Sequence, residues 1–187
     1  MQTGTSMIEN NYYKPPYIHC HFAYTIGFNP RHKEIFPTMD ETTIARTIFD
    51  TFPGTRATTV WGDTFFYYNP DLDRPDEFYF ATLKSADDEY DNASDLNRPG
   101  AFRLNIGLGK ETFFSLFESR PSRPGAEADF DAAYDFTAAD RLMPHPVYGR
   151  QYWVCVVNPG AATFAALRPL LDEAYGLAVE KFNKKGG

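Results

Sequence analysis

The sequence predicts an α+β domain: an antiparallel sheet of about five strands, with an N-terminal and a C-terminal helix packed on one of its faces. Three observations carry that expectation. A capped amphipathic stretch opens at residue 40, several short strand-like segments follow with a hairpin-sized gap, and an apolar strand near residue 155 runs into a helix-patterned tail.

Asp40 supplies a helix cap, and Ile44, Ile48, Phe49 and Phe52 fall on one stripe until Pro53-Gly54 stops the helix. Ala57 to Trp61 and Thr64 to Tyr68 then read as two strands around Gly62-Asp63, where glycine in the first loop position suits a type II′ turn. Phe78 to Leu83 makes a third strand and Ala101 to Ile106 a fourth. In the fourth, Phe102, Leu104 and Ile106 alternate with Arg103 and Asn105, which predicts one face on the core and one on water. A short helix spans Lys110 to Phe117. Gln151 to Val157 forms the fifth strand, apolar on both faces and therefore central or covered. The last helix takes Asn158 as its cap and Pro159 as its first residue, and presents Phe164, Leu167, Leu171, Ala174, Ala178 and Phe182 on one side. Pro169 lies inside it and is expected to kink or split the helix just before that residue.

The 187 residues suit one domain, able to bury roughly 70% of the surface its unfolded chain exposes. Residues 1–38 are rich in Tyr, Pro and His without a clean period and read as a loosely packed arm, residues 39–183 as the domain, and residues 184–187 as a tail. The 12 Tyr, 17 Phe and 2 Trp supply core rather than a platform for stacked bases. Net charge is −7, from 18 basic and 25 acidic residues, and the acidity belongs to the domain rather than to the arm. Such a field repels phosphate polymers and anionic lipid. Cys20 and Cys155 have no paired-thiol spacing, and the longest apolar run is too short to span a bilayer. These features point to a soluble, cytoplasmic protein without a membrane partner.

Several motifs carry a family resemblance: Gly62-Asp-Thr-Phe-Phe66, Asp95-Leu-Asn-Arg-Pro-Gly100, Phe102-Arg-Leu-Asn-Ile-Gly107, Leu142-Met-Pro-His-Pro-Val-Tyr148 and Trp153-Val-Cys-Val-Val-Asn-Pro159. Through them the chain from about residue 39 to 183 resembles a bacterial domain of unknown function, family 6194. More distantly, the order of helix, antiparallel sheet, tryptophan-bearing strand and final helix is similar to the MmcQ/YjbR group. That resemblance implies a double-wing fold and a suspected role in binding DNA, but no catalytic residue.

A site is expected at the two long connections, residues 84–100 and 118–150. The first carries Asp87, Asp88, Glu89, Asp91 and Asp95, but Asn92 and Arg98 break the calcium-loop spacing, so it reads as a solvated acidic loop. In the second, Pro144 and Pro146 hold His145 on a stiff mount. A carboxylate such as Asp135 or Asp140 would make it a general base with Tyr148 as an anion donor; without one, it simply bonds a loop carbonyl. Cys155 lies mid-strand and reads as a small hydrophobe. Gly107-Leu-Gly109-Lys110 lacks the phosphate-loop spacing and reads as a helix start. His19, Cys20, His21 and His32 are poorly spaced to share a zinc ion.

If the two loops fold over the sheet, Arg103, Asn105, His145, Tyr148 and Asp63 line one polar pocket, unless Arg103 is instead paired with a neighbour such as Asp140. The favoured reading is a non-enzymatic domain that binds a small anionic molecule or a protein partner. The alternatives are a DNA-binding domain, against which the net charge counts, and a hydrolase built on His145, Asp140 and Tyr148. No catalytic residue, metal ligand or cofactor is assigned.

Overall fold

The computed structural model describes residues 39–72, 78–117 and 134–185. The arm, with His19, Cys20, His21 and His32, lies outside the described residues.

Helix α1 (Glu41–Thr51) starts where Asp40 accepts a hydrogen bond from the Thr43 amide at 2.6 Å. Ile44, Ile48 and Phe52 are buried as the stripe requires, whereas Phe49 sits at its margin and lays its ring edge-on to Phe66 at 5.6 Å. Strands β1 (Thr55–Val60) and β2 (Asp63–Tyr68) pair Val60 with Asp63, so the turn is Trp61-Gly62. Both turn residues have positive φ, 52° and 91°, which is the type I′ combination; the expected type II′ turn at Gly62-Asp63 is corrected by one residue. A type I′ turn matches the right-handed twist of the two strands, and glycine takes its second position.

Strands β3 (Tyr79–Lys84) and β4 (Arg103–Gly107) continue the meander. Phe66 faces Ala81 and Tyr67 faces Tyr79, which leaves Phe80 as the extra residue of a bulge. The bulge turns the Phe80 ring inward against Phe52 and Tyr175, both at 5.7 Å. After α2 (Lys110–Phe117) come β5 (Met143–Pro144), a 3-10 turn (Gly149–Gln151), β6 (Trp153–Val157), α3 (Ala161–Ala166) and α4 (Arg168–Lys184). The strand order is β1-β2-β3-β4-β6-β5 with every named pair antiparallel.

Strand β6 thus lies between two neighbours, which is why Val154 to Val157 are apolar on both faces. The sixth strand, β5, is only two residues long and falls in a stretch with no alternating pattern. Gln151 belongs to the 3-10 turn and Tyr152 is left-handed, so β6 begins two residues later than periodicity suggests. Pro169, with no amide hydrogen to give, divides the C-terminal helix at Leu167 as expected. Asn158, however, does not cap it. Its side chain accepts from the Phe102 amide and donates to the Gly100 carbonyl, while the carboxylate of Asp140 takes the Gly160 amide at 2.7 Å where α3 begins.

One sheet face, bearing Phe66, Leu83, Leu104, Ile106 and Val156, forms a core with Ile44 and Ile48 of α1 and Leu171, Ala174 and Ala178 of α4. The opposite face carries Thr82, Lys84, Arg103 and Asn105, all buried. Alternation along β4 is real, but its polar side does not meet water: loop 85–102 folds over it, pinned by Leu96 packing with Ala101 and Val157. No helix among the described residues is long and apolar enough to cross a membrane.

Candidate functional site

Among the described residues, Arg103 is the largest side chain with no exposed surface. A guanidinium withdrawn from water needs a full set of acceptors, and each nitrogen finds one. Nε donates to Asn105 Oδ1 at 2.8 Å, Nη1 to Asp91 Oδ1 at 3.1 Å and Ser94 Oγ at 2.8 Å, and Nη2 to Asp91 Oδ2. Asn105, held by that bond, turns its amide nitrogen to Thr82 Oγ1 at 2.8 Å. Strands β3 and β4 therefore contribute Thr82, Arg103 and Asn105, and the loop between them closes the set with Asp91 and Ser94.

His145 completes the cluster from the far edge. Its Nδ1 accepts the Val147 and Tyr148 amides, both at 3.1 Å, in the turn that Pro146 stiffens. The other ring nitrogen, Nε2, stands 3.1 Å from Arg103 Nη2, an obligate donor, and 3.8 Å from Asp91 Oδ2. A guanidinium offers no lone pair, so of these two neighbours Asp91 alone is an acceptor, at a separation beyond hydrogen-bond length. Burial, then the positive charges of Arg103 and Lys84, lower the His145 pKa to about 2. The imidazole is neutral at physiological pH and faces a cation.

Lys84 anchors the same loop one strand over. Its ammonium bonds Asp88 at 2.6 Å and Asp63 at 3.1 Å. Burial opposes its charge, but the bonds to the two carboxylates outweigh burial and raise its pKa. Burial raises the Asp63 carboxyl in spite of its lysine partner, whereas the well-solvated Asp88 is lowered by the Lys84 bond and the Tyr90 amide. Asp88 Oδ1 also takes the Tyr90 and Asp91 amides, and Asp87 takes the Leu96 amide. Arg98 ties this loop to the second one through the Thr137 carbonyl at 2.8 Å.

The expected site is thus only partly assembled. Arg103, Asn105 and His145 meet; Tyr148 lies at the rim, half exposed, its ring 5.0 Å from the imidazole. Asp63 serves Lys84 instead. The carboxylate on Arg103 is Asp91, not Asp140, and neither Asp140 nor Asp135 orients His145: Asp140 is bound to the Gly160 amide and Asp135 to Thr137. The first loop is not simply solvated, since Asp91 is buried in the cluster. Among the described residues, no group of three or more His, Cys, Asp or Glu side chains is arranged to hold a metal ion. The Gly109 amide at the start of α2 is taken by Glu173 at 2.8 Å rather than left for an anion. Cys155, buried beside the cluster, has its thiol pushed up to about 12 by that burial.

Ser94, Thr82 and Lys84 were not among the expected site residues, and Asp91 was expected only as one acid of a solvated loop. The usable signal was charge: Lys84 and Arg103 both hold polar-face positions beside an apolar core, and the loop joining their strands is the nearest source of acids.

Fold and site define a class: a single-sheet antiparallel α+β domain whose polar face is closed by its own loops around a buried arginine. Residues 39–187 match the family of unknown function DUF6194, and the chain belongs to that family. No curated protein and no solved structure matches it.

Proposed function

We propose that the domain is a non-enzymatic binding module that engages a protein partner through its β1–β2 hairpin and the two loops over the sheet. The observation that carries this reading is the display of aromatic side chains on braced segments. Trp61 is 99% exposed at the hairpin tip, Tyr90 is 80% exposed in the first loop and Tyr148 49% exposed in the second. Each is tied to the buried polar cluster: the hairpin through Asp63 and Lys84, the first loop through Asp88 and Asp91, the second through His145.

A large aromatic side chain at positive φ is strained, and one left wholly in water contributes no burial. Trp61 combines both disadvantages for the isolated domain. Tryptophan and tyrosine on rigid mounts are also the residues that dominate protein interfaces, because little side-chain freedom is lost when they are covered. In this reading Arg103, Asn105 and His145 form the brace and Tyr148 belongs to the contact surface.

Catalysis by His145 is disfavoured by its chemistry. A base with a pKa near 2 has almost no affinity for a proton at neutral pH, and its Nδ1 lone pair is already shared by two amides. The acidic balance of the chain counts against duplex DNA, the function suspected for the MmcQ/YjbR group.

The test is affinity capture from the native host with the full chain and with a Trp61→Ser/Tyr90→Ser double variant of unchanged melting cooperativity. A partner retained by the wild type and lost by the variant supports the reading. Identical retention by both proteins would remove it.

A further inference from the structure

We infer that the wedge between α1, α3 and the start of α4 is a binding site for a small carboxylic acid with a compact apolar body. Pro169 breaks the C-terminal helix at Leu167, and a cavity of about 380 Å³ is lined by residues of α1, α3 and the start of α4. That volume falls at the lower end of the roughly 300–1,000 Å³ common for small-ligand sites. Ile48, Phe52, Phe164 and Leu171 make its body apolar, and Ala165 on α3 is too short to fill it.

The polar groups gather on one side. Arg168, Thr47 and Thr51 all line the cavity. Arg168 gives Nε to Asp172 at 2.8 Å and Nη1 to Thr51 Oγ1 at a long 3.4 Å, and its guanidinium carbon lies 5.1 Å from the centre of the Phe52 ring. A guanidinium has five N–H groups, so three remain without an acceptor among the described residues. The Thr47 hydroxyl donates to the Thr43 carbonyl and keeps its own lone pairs.

An apolar body with a cation at its margin selects a ligand of matching polarity: an anionic head at Arg168 and a short hydrocarbon or aryl tail against Ile48, Phe52 and Phe164. A carboxylate suits the planar fork, and a cationic head of equal length meets repulsion there. The site is on the helical face, away from the Arg103 cluster, and does not depend on the protein-partner reading.

Octanoate is the probe, titrated calorimetrically into the full-length protein at pH 7.5 with octanol and octylamine as length-matched controls. One saturable site is expected for octanoate, with octylamine at least about tenfold weaker. Arg168→Gln should weaken octanoate about tenfold and leave octanol unchanged. Ala165→Trp, at an exposed helix position, should fill the wedge and remove binding of all three. The inference is overturned if octanoate shows no saturable heat, if octylamine binds as well as octanoate, or if folded Arg168→Gln titrates like the wild type.

Discussion

Asp91 and Arg103, twelve residues apart, meet as a two-pronged pair inside the protein, Nη1 on Oδ1 at 3.1 Å and Nη2 on Oδ2. The pair holds loop 85–102 down on the sheet, and Ser94 and Asn105 each take one further N–H of the guanidinium. Breaking one partner of a buried pair strands the other charge, at a typical cost of about 3–5 kcal/mol. Asp91→Ala is therefore expected to lose stability in that range by urea denaturation. Replacing both partners by apolar residues, Asp91→Leu with Arg103→Met, should recover most of the loss. A double variant as unstable as the single one would mean that the stranded charge of Arg103 is not the source of the loss.

Acid should weaken the fold through His145. Its folded-state pKa, about 2, lies below the ordinary imidazole value of 6.5, so the unfolded chain binds the proton more readily. Stability from this group is complete above pH 6.5 and declines as pH falls toward 2, with a limiting slope of about 1.4 kcal/mol per pH unit. His145→Asn keeps an acceptor for the Val147 and Tyr148 amides but cannot titrate. Unfolding free energies between pH 6.5 and 4 should fall less steeply for the variant; parallel profiles would show that His145 charges freely in the native state.

At the hairpin tip, stability and binding are expected to oppose each other. Trp61→Asn creates the Asn-Gly pair that type I′ turns prefer and relieves a positive φ of 52°. It should stabilise the domain by about 0.5–1 kcal/mol in thermal or urea unfolding. The same substitution should abolish retention of the protein partner. A loss of stability instead would show that the indole packs on the domain in solution.

Cys155 should be chemically silent in the native protein. Its buried thiol, with a pKa near 12, sits mid-strand and donates to the Pro144 carbonyl at 3.6 Å. Iodoacetamide at pH 8, followed by peptide mass mapping, should modify Cys155 in urea and leave it unmodified without denaturant. Rapid native labelling would place the thiol in an open cleft.

What the sequence determined by itself was local and periodic. The Asp40 cap, the buried pair Ile44 and Ile48, the two-faced apolar strand around Cys155 and the helix break at Pro169 were all legible, because hydrogen-bond geometry and side-chain period act within a few residues. Turn type and the Asn158 cap were misplaced by one or two positions, where strand pairing and the reach to Phe102 and Gly100 override the local preference. The site depended on tertiary structure. Proline on both sides of His145 and alternation along β4 brought out His145, Arg103 and Asn105, but no local rule says which of five acids in a long loop will neutralise an arginine. That choice fell to Asp91 because Leu96 must bury itself against Ala101 and Val157, and the path this imposes on the loop carries Asp91 and Ser94 onto the guanidinium.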